Sequence, residues 1–200
     1  MRTVALTGTP GTGKTTVSEH VADRLAIEVI HLNDAIRAAG LFSERDVERD
    51  SLVADLDAAE SWLDETRAGD GGENGAGDRG ENGAGDRGEN GAGDGRGRLV
   101  ESHLAHLLDV DRAIVLRCHP ESLKPRLRER GESEASIAEN AESEALDTVL
   151  AAAVERHGRE SVWEVDTTDR APGPVADDVA AAIRGDTEPR AGVVDFIDYL

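Results

Sequence analysis

Eight residues near the amino terminus, Gly8-Thr9-Pro10-Gly11-Thr12-Gly13-Lys14-Thr15, restrict what this chain can fold into more than any other stretch. They match the pattern G-x-x-x-x-G-K-[ST] at every specified position, after a short apolar run at 3–6 and before the helical spacing of Val17, Val21 and Leu25. That context is the one the pattern requires: the glycines let successive backbone N–H groups turn inward around phosphate oxygens, and the helix that follows adds its positive end at the same point. Lys14 is then placed to reach the β- and γ-phosphates of a triphosphate. The Thr15 hydroxyl is placed to ligand Mg²⁺, and the Thr16 N–H to meet the α-phosphate. Arginine has replaced lysine elsewhere, leaving Lys14 and Lys124 as the chain's two lysines, so a lysine at this position is not an accident of composition.

A strand, loop and helix in this order commit the rest of the chain to an α/β arrangement. Apolar, β-branched runs recur at 28–32, 99–101, 112–116 and 162–165, several nearly continuous in apolar character, as strands covered on both faces are. Stripes of helical period separate them. Leu52, Leu56, Ala59 and Leu63 form one; Ile137, Ala141, Ala145, Val149 and Ala153 mark a long helix that Gly158 can cap; Val175, Val179 and Ile183 mark another, ending at Gly185. The alternation predicts a single P-loop NTPase domain over residues 1–200: α/β, with a five-stranded parallel sheet and helices on both faces. Two hundred residues suffice for one such domain and not for two.

A triphosphate site needs a second acidic element to hold magnesium or polarise water. The strand at 99–101 runs into Glu101-Ser102-His103, which puts a carboxylate and an imidazole at the C-terminal end of a parallel strand. Glu101 reads as a second-shell magnesium carboxylate or water activator, with His103 beside it; a histidine that merely hydrogen-bonds a helix start is the plainer reading of His103. Guanine-specific P-loop proteins carry an Asn-Lys-x-Asp element, and Lys124 stands in Leu-Lys-Pro-Arg, so a Ras-like GTPase is disfavoured. A kinase acting on a second phosphorylated molecule must also neutralise two sets of phosphates and exclude water. Arg37, in Asn33-Asp34-Ala35-Ile36-Arg37, follows the second strand where an acceptor pocket would lie. Arg117 ends the fourth strand, and Arg126, Arg128 and Arg130 precede a polar stretch that can act as a lid.

Composition bears on partners and on one foreign segment. The net charge is −20, which repels a phosphate backbone and argues against sequence-independent nucleic-acid binding. Such acidity, with arginine preferred to lysine, suggests a host adapted to multimolar salt, where screening over about 3 Å removes self-repulsion. Thirteen of the 22 glycines fall between Gly69 and Gly97, in an octapeptide repeat of Gly, Asp, Glu, Asn, Ala and Arg without Val, Ile, Leu or aromatic residues. Residues 69–97 therefore read as a disordered insertion rather than a calcium-binding β-roll, which needs periodic apolar residues. The insertion contributes −4, so the remaining −16 belongs to the folded body. Cys118 is the lone cysteine, no zinc-ligand spacing is present, and the N-terminal apolar run is too short for a signal segment or membrane span; the expectation is a soluble cytoplasmic protein.

Together, the phosphate loop, the segment 33–37, Glu101-Ser102-His103 and Arg126-Leu-Arg-Glu-Arg130-Gly131 followed by Glu139-Asn140 resemble the adenylate kinase isoenzyme 6 type of nucleoside monophosphate kinase, found also in archaea. The resemblance covers nearly the whole chain outside the repeat. It implies an NMP-binding segment at 31–54 and a lid at 129–139. It also implies broad NMP kinase activity on ATP and AMP, ATPase activity with Mg²⁺, and a part in late maturation of the small ribosomal subunit through transient contact with ribosomal protein uS11. By position it puts ATP binding on Gly11, Gly13, Lys14, Thr15, Thr16 and Arg130, and NMP binding on Asp34 and Arg37. An ATP-switched assembly factor, or another small-molecule P-loop kinase, are the alternatives.

Three features depart from that pattern. Glu101 stands where aspartate is frequent, one methylene longer, which favours water-mediated contact with Mg²⁺ over direct ligation. Pro125 precedes the lid arginines and is tolerable only if its helix begins near Leu123. The repeat has no counterpart. The C-terminal residues 193–200, with Phe196 and Tyr199, are expected to fold back on the body, the alternative being a strip that docks a partner.

Overall fold

The computed structural model describes residues 2–46, 51–69 and 97–200, which divide into two units. The first unit comprises residues 2–40 and 97–200. Its sheet has five parallel strands, β1 (Thr3–Thr7), β2 (Glu28–His31), β5 (Arg98–Glu101), β6 (Arg112–Arg117) and β7 (Val162–Asp166), in the order β2-β5-β1-β6-β7. The strands lie where the apolar runs predict, with ends shifted by a residue. Because side chains alternate, Val4, Leu6, Leu99, Ile114, Leu116, Trp163 and Val165 share one face. That face is covered by Val17 and Val21 of α1 (Lys14–Leu25) and by Val175, Ala176, Val179 and Ala182 of α7 (Pro172–Arg184). Each fully buried Leu or Val there contributes about 1.5–3 kcal/mol relative to exposure. Ala5, Val100, Ala113 and Val115 point the other way and are also buried, with α6 (Thr148–His157) packed against β6 and β7. Both faces are thus covered, and the C-terminal strand ends are left as the open edge.

The long helix expected from Ile137 to Ala153 is two helices, α5 (Glu134–Ala145) and α6, and this corrects the sequence reading. The break is Asp147, in the left-handed region at φ +55°, whose carboxylate pairs with Arg117. The spacing hid the break because both helices bury part of the same stripe, Ile137, Ala141 and Ala145 on α5 and Ala153 on α6; Ala151 N–H donates to the Asp147 carbonyl at 2.8 Å where α6 begins. Helix α4 (Pro120–Glu129) also differs from expectation. It starts at Pro120 rather than near Leu123, so Pro125 lies past the first turn. Pro125 and Glu121 both face solvent, so the Glu121 carbonyl, deprived of its helical partner, can take water. Helix α2 (Leu32–Ala39) follows β2 directly and is capped by Gly40.

The second unit holds β3 (Phe42–Asp46), β4 (Ser51–Ala54) and α3 (Leu56–Gly69). Leu52, counted in the sequence as the start of a helical stripe, pairs instead with Arg45 in an antiparallel hairpin. Asp55 explains the error: its carboxylate accepts from Ala58 N–H at 3.0 Å, an N-cap that stops α3 from extending back to Leu52. The expected NMP-binding segment spans α2, β3 and β4, with 47–50 outside the described residues. Residues 70–96, nearly all of the expected insertion, also lie outside them.

The C-terminal residues fold back on the first unit. Val193 and Val194 N–H donate to Glu164 Oε2 at 2.7 and 3.2 Å, and Phe196 packs edge-on against His119 at 5.1 Å. Arg117 lies over the Phe196 ring and Lys124 over Tyr199.

Candidate functional site

Strand β1 ends at Thr7, and residues 8–13 turn into α1 at the open edge of the sheet. Gly8 has φ +139°, and a Cβ there would lie 2.4 Å from the Leu116 carbonyl oxygen on the neighbouring strand, so no other residue fits. Gly13, the N-cap of α1, sits at φ +94°. The Thr9 carbonyl gathers the loop: it accepts from Thr12 N–H at 3.3 Å, Thr12 Oγ1 at 2.9 Å and Lys14 Nζ at 3.1 Å. Lys14 Nζ also donates to the Gly8 carbonyl at 2.8 Å. Its ammonium is buried, and burial is the main reason its pKa falls from 10.5 to about 8; nearby Arg130 pushes the same way and Glu101 opposes.

The neighbouring strands deliver the acid and the imidazoles. On one rung of the sheet, Glu101 of β5 is flanked by Leu6 of β1 and His31 of β2. Glu101 is buried, and its Oε2 lies 3.0 Å from His31 Nδ1. The next residue, Ser102, donates from Oγ to Asn33 Oδ1 at 2.9 Å, tying the start of α2 to the end of β5. The His103 pKa is lowered, by burial first and by Lys14 second, with Glu101 opposing, which favours its neutral form. Behind it His106, 3.0 Å from Thr7 Oγ1, is pushed down to about 4 by burial and by His103 and His157.

These groups wall a cleft of about 640 Å³, in the range of small-molecule sites. Of the residues singled out from the sequence, Gly11, Gly13, Lys14, Thr15, Thr16, Asp34, Arg37, Glu101, His103, Arg126 and Arg130 all line it. Arg126 and Arg130 are four apart, on one side of α4 and its end. Arg128 falls on the opposite side and pairs with Glu134 at 2.8 and 2.9 Å, away from the cleft. Arg37 and Asp34 are both exposed and 3.8 Å apart, a weak pair free to turn toward a ligand.

Arg117 is the candidate that the structure removes from the cleft. It is 1% exposed and donates to Glu144 Oε1 at 2.8 Å, Glu164 Oε1 at 2.6 Å, the Glu144 carbonyl at 3.0 Å and the Asp147 carboxylate. Burial alone would lower its pKa, but these carboxylates outweigh it and hold the guanidinium charged. With its donors so engaged, Arg117 belongs to the interior.

His31, Asn33 and Glu132 also line the cleft; the resemblance puts them in the NMP-binding segment and the lid without giving any of them a role of its own. His31 was legible in principle, as the residue ending a parallel strand beside the phosphate loop. The Thr15 hydroxyl and the Glu101 carboxylate are hard oxygen donors of the kind Mg²⁺ takes. Among the described residues no group of three or more His, Cys, Asp or Glu can hold a metal alone. Such a donor set fits an ion bound mainly through phosphates, with one or two protein oxygens and water completing its shell.

Comparison with known proteins places this geometry among relatives. The AAA domain family matches residues 4–147. A protein of Natronomonas pharaonis named "Putative adenylate kinase" is 50% identical over 197 residues, covering 98% of this chain and 99% of its own. Proteins of the same name from Halobacterium salinarum and Methanocaldococcus jannaschii are 43% and 35% identical, each over 98% of this chain and over 99% and 96% of their own. Among solved structures, shikimate kinase from Acinetobacter baumannii superimposes with a TM-score of 0.53 at 16% identity, over 94% of this chain and 95% of that one. At that identity the likeness establishes the P-loop kinase fold alone. Among the described residues no helix is long and apolar enough to cross a membrane.

Proposed function

This chain belongs to the family of the "Putative adenylate kinase" proteins, and on that premise we propose that it transfers the γ-phosphoryl group of ATP to a nucleoside monophosphate, with AMP the leading acceptor: ATP + AMP = 2 ADP. One observation carries the reading. Lys14, Glu101, Arg37 and Arg130, drawn from four separate segments, face a single cleft on a protein whose overall charge is −20. The residues 8–16 cradle the ATP phosphates, with Gly11, Gly13, Lys14, Thr15 and Thr16 as contacts, and Arg130, with Arg126 below it, reaches them from the turn after α4. Asp34 and Arg37 on α2 meet the acceptor. Thr15 and Glu101 would hold Mg²⁺, which when bound would neutralise charge developing on the phosphates. The protein's own work is positioning and exclusion of water; His31 fixes the Glu101 carboxylate, and Lys14 and the arginines supply the positive charge.

The depressed pKa of Lys14 gives this reading a pH signature. The value lies below that of a free lysine, so the neutral amine, useless to phosphate, accumulates above about pH 8. Bound ATP adds negative charge and pulls the proton back. The expected profile is kcat/KM for ATP falling above about pH 8, while kcat, which reports the loaded complex, holds to higher pH. A flat kcat/KM from pH 7 to 9.5 would count against Lys14 as the phosphate ligand.

The reading is tested by scoring each nucleoside monophosphate as acceptor in one coupled assay, at high and low salt. AMP-stimulated ADP formation, stronger at high salt, supports the kinase and the salt-adapted host. ATP consumption that rises with ribosomal protein uS11 instead of AMP supports the assembly-factor reading, with its ATPase activity. ATP consumption that no nucleoside monophosphate and no uS11 stimulates would point to another small-molecule kinase.

A further inference from the structure

Glu144 lies outside the cleft, yet it grips the phosphate loop. Its Oε2 accepts a hydrogen bond from Thr9 Oγ1, and its Oε1 accepts from Arg117 Nε at 2.8 Å and from Cys118 N–H at 3.0 Å. Thr9 is 1% exposed and Glu144 2%, so neither is held for solubility. Both oxygens are engaged at once, by the loop on one side and by the end of β6 on the other. Thr9 is also the residue whose carbonyl collects Thr12 and Lys14, so whatever fixes Thr9 fixes the inner half of the loop.

A buried carboxylate behind an anion-binding loop is electrostatically adverse to a polyphosphate, which makes its presence informative. Arg117 offsets the charge, and Arg117 is itself shared with Glu164 and Asp147. A neutral side chain would avoid the repulsion, but it could not take three donors at once, one from the phosphate loop and two from the end of β6. The same residue sits on α5, which begins two residues after the cleft-lining Glu132. The loop and the turn that carries Arg130 are therefore anchored to one helix.

We propose that Glu144 is a positioning residue for ATP: through Thr9 Oγ1 it holds the phosphate loop in the geometry that binds the triphosphate, and it ties that geometry to helix α5. The inference rests on reading the cleft as the ATP site. A loop whose N–H groups drift by a fraction of an ångström loses alignment with several phosphate oxygens together, so the effect falls on ATP and not on the acceptor.

The test compares Thr9→Val, which keeps shape and removes the hydroxyl, with Thr9→Ser, which keeps the hydroxyl, together with Glu144→Gln and the Thr9→Val/Glu144→Gln double variant. Mg·ATP binding by calorimetry, KM for ATP and for AMP, and melting temperature are read for each. Thr9→Val and Glu144→Gln are expected to weaken ATP about tenfold, the effect of losing one hydrogen bond to a charged group. KM for AMP should stay within about twofold, Thr9→Ser should recover most of the ATP affinity, and the double variant should be no weaker than Glu144→Gln alone. Should Glu144→Gln fail to fold, the Val and Ser pair at Thr9 still decides. A Thr9→Val protein that melts earlier but binds ATP like the wild type would overturn the proposal, leaving Glu144 a packing residue. Wild-type protein that binds no ATP would overturn the ATP-site reading as well.

Discussion

Replacing Lys14 by alanine is expected to lower both AMP-dependent and AMP-independent ATP turnover by about 10²–10³-fold or more, the scale of losing one preorganised charge at a phosphoryl-transfer centre. The fold should survive. Lys14 is an ammonium buried at a cost, as its pKa of about 8 records, and removing it relieves that cost; the space it vacates opens on the cleft that Lys14 lines, so water can replace it at the Gly8 and Thr9 carbonyls. Melting temperature should accordingly change by only a few degrees. Lys14→Arg should fail nearly as badly, because a planar guanidinium cannot enter a loop shaped around a single Nζ. Turnover in Lys14→Ala within tenfold of the wild type would remove the loop from the chemistry. Loss of turnover together with loss of folding would show only that the position is structural.

The second large effect falls on stability. Arg117→Met fills the volume but leaves Glu144 and Glu164, both essentially inaccessible to solvent, without their cation. Breaking a buried ion pair from one side costs about 3–5 kcal/mol, which for a chain of this length lowers the melting temperature by about 10 °C. The damage should spread along the contacts. Glu164 also accepts the Val193 and Val194 N–H groups, and Phe196 lies under the guanidinium, so the C-terminal segment should become protease-sensitive before the sheet does. Arg117→Lys should recover only part of the loss, since one ammonium cannot face three carboxylates. Denaturant unfolding of Arg117→Met within 1 kcal/mol of the wild type would mean that solvent reaches these carboxylates and that the network carries little.

The contrast between Lys14 and Arg117 shows what was legible in the sequence. Lys14 belongs to a motif whose residues are neighbours in the chain, and the strands that position it are marked by local apolar runs; Gly158 and Gly185 likewise mark helix ends by their own backbone freedom. Glu101 and Arg130 were reachable because strand ends of a parallel sheet share one edge. Arg117 was misplaced because its partners Glu144 and Glu164 stand 27 and 47 residues away, and nothing local distinguishes a cleft arginine from an interior one. One clue was present: Glu144 falls on the buried side of α5 with Ile137, Ala141 and Ala145, and a carboxylate on an apolar stripe demands a cation. The β3–β4 hairpin stayed hidden because Leu52 imitates a helical spacing that only the Asp55 cap contradicts.

The most direct measurement is product identity with ATP and Mg²⁺ supplied with and without AMP. A rate of ADP formation that rises steeply when AMP is added, the AMP-dependent increment giving two molecules of ADP for each ATP consumed and no free phosphate, is the predicted result. ATP consumed at the same rate whether or not any nucleoside monophosphate is added, with phosphate released to water, would contradict it.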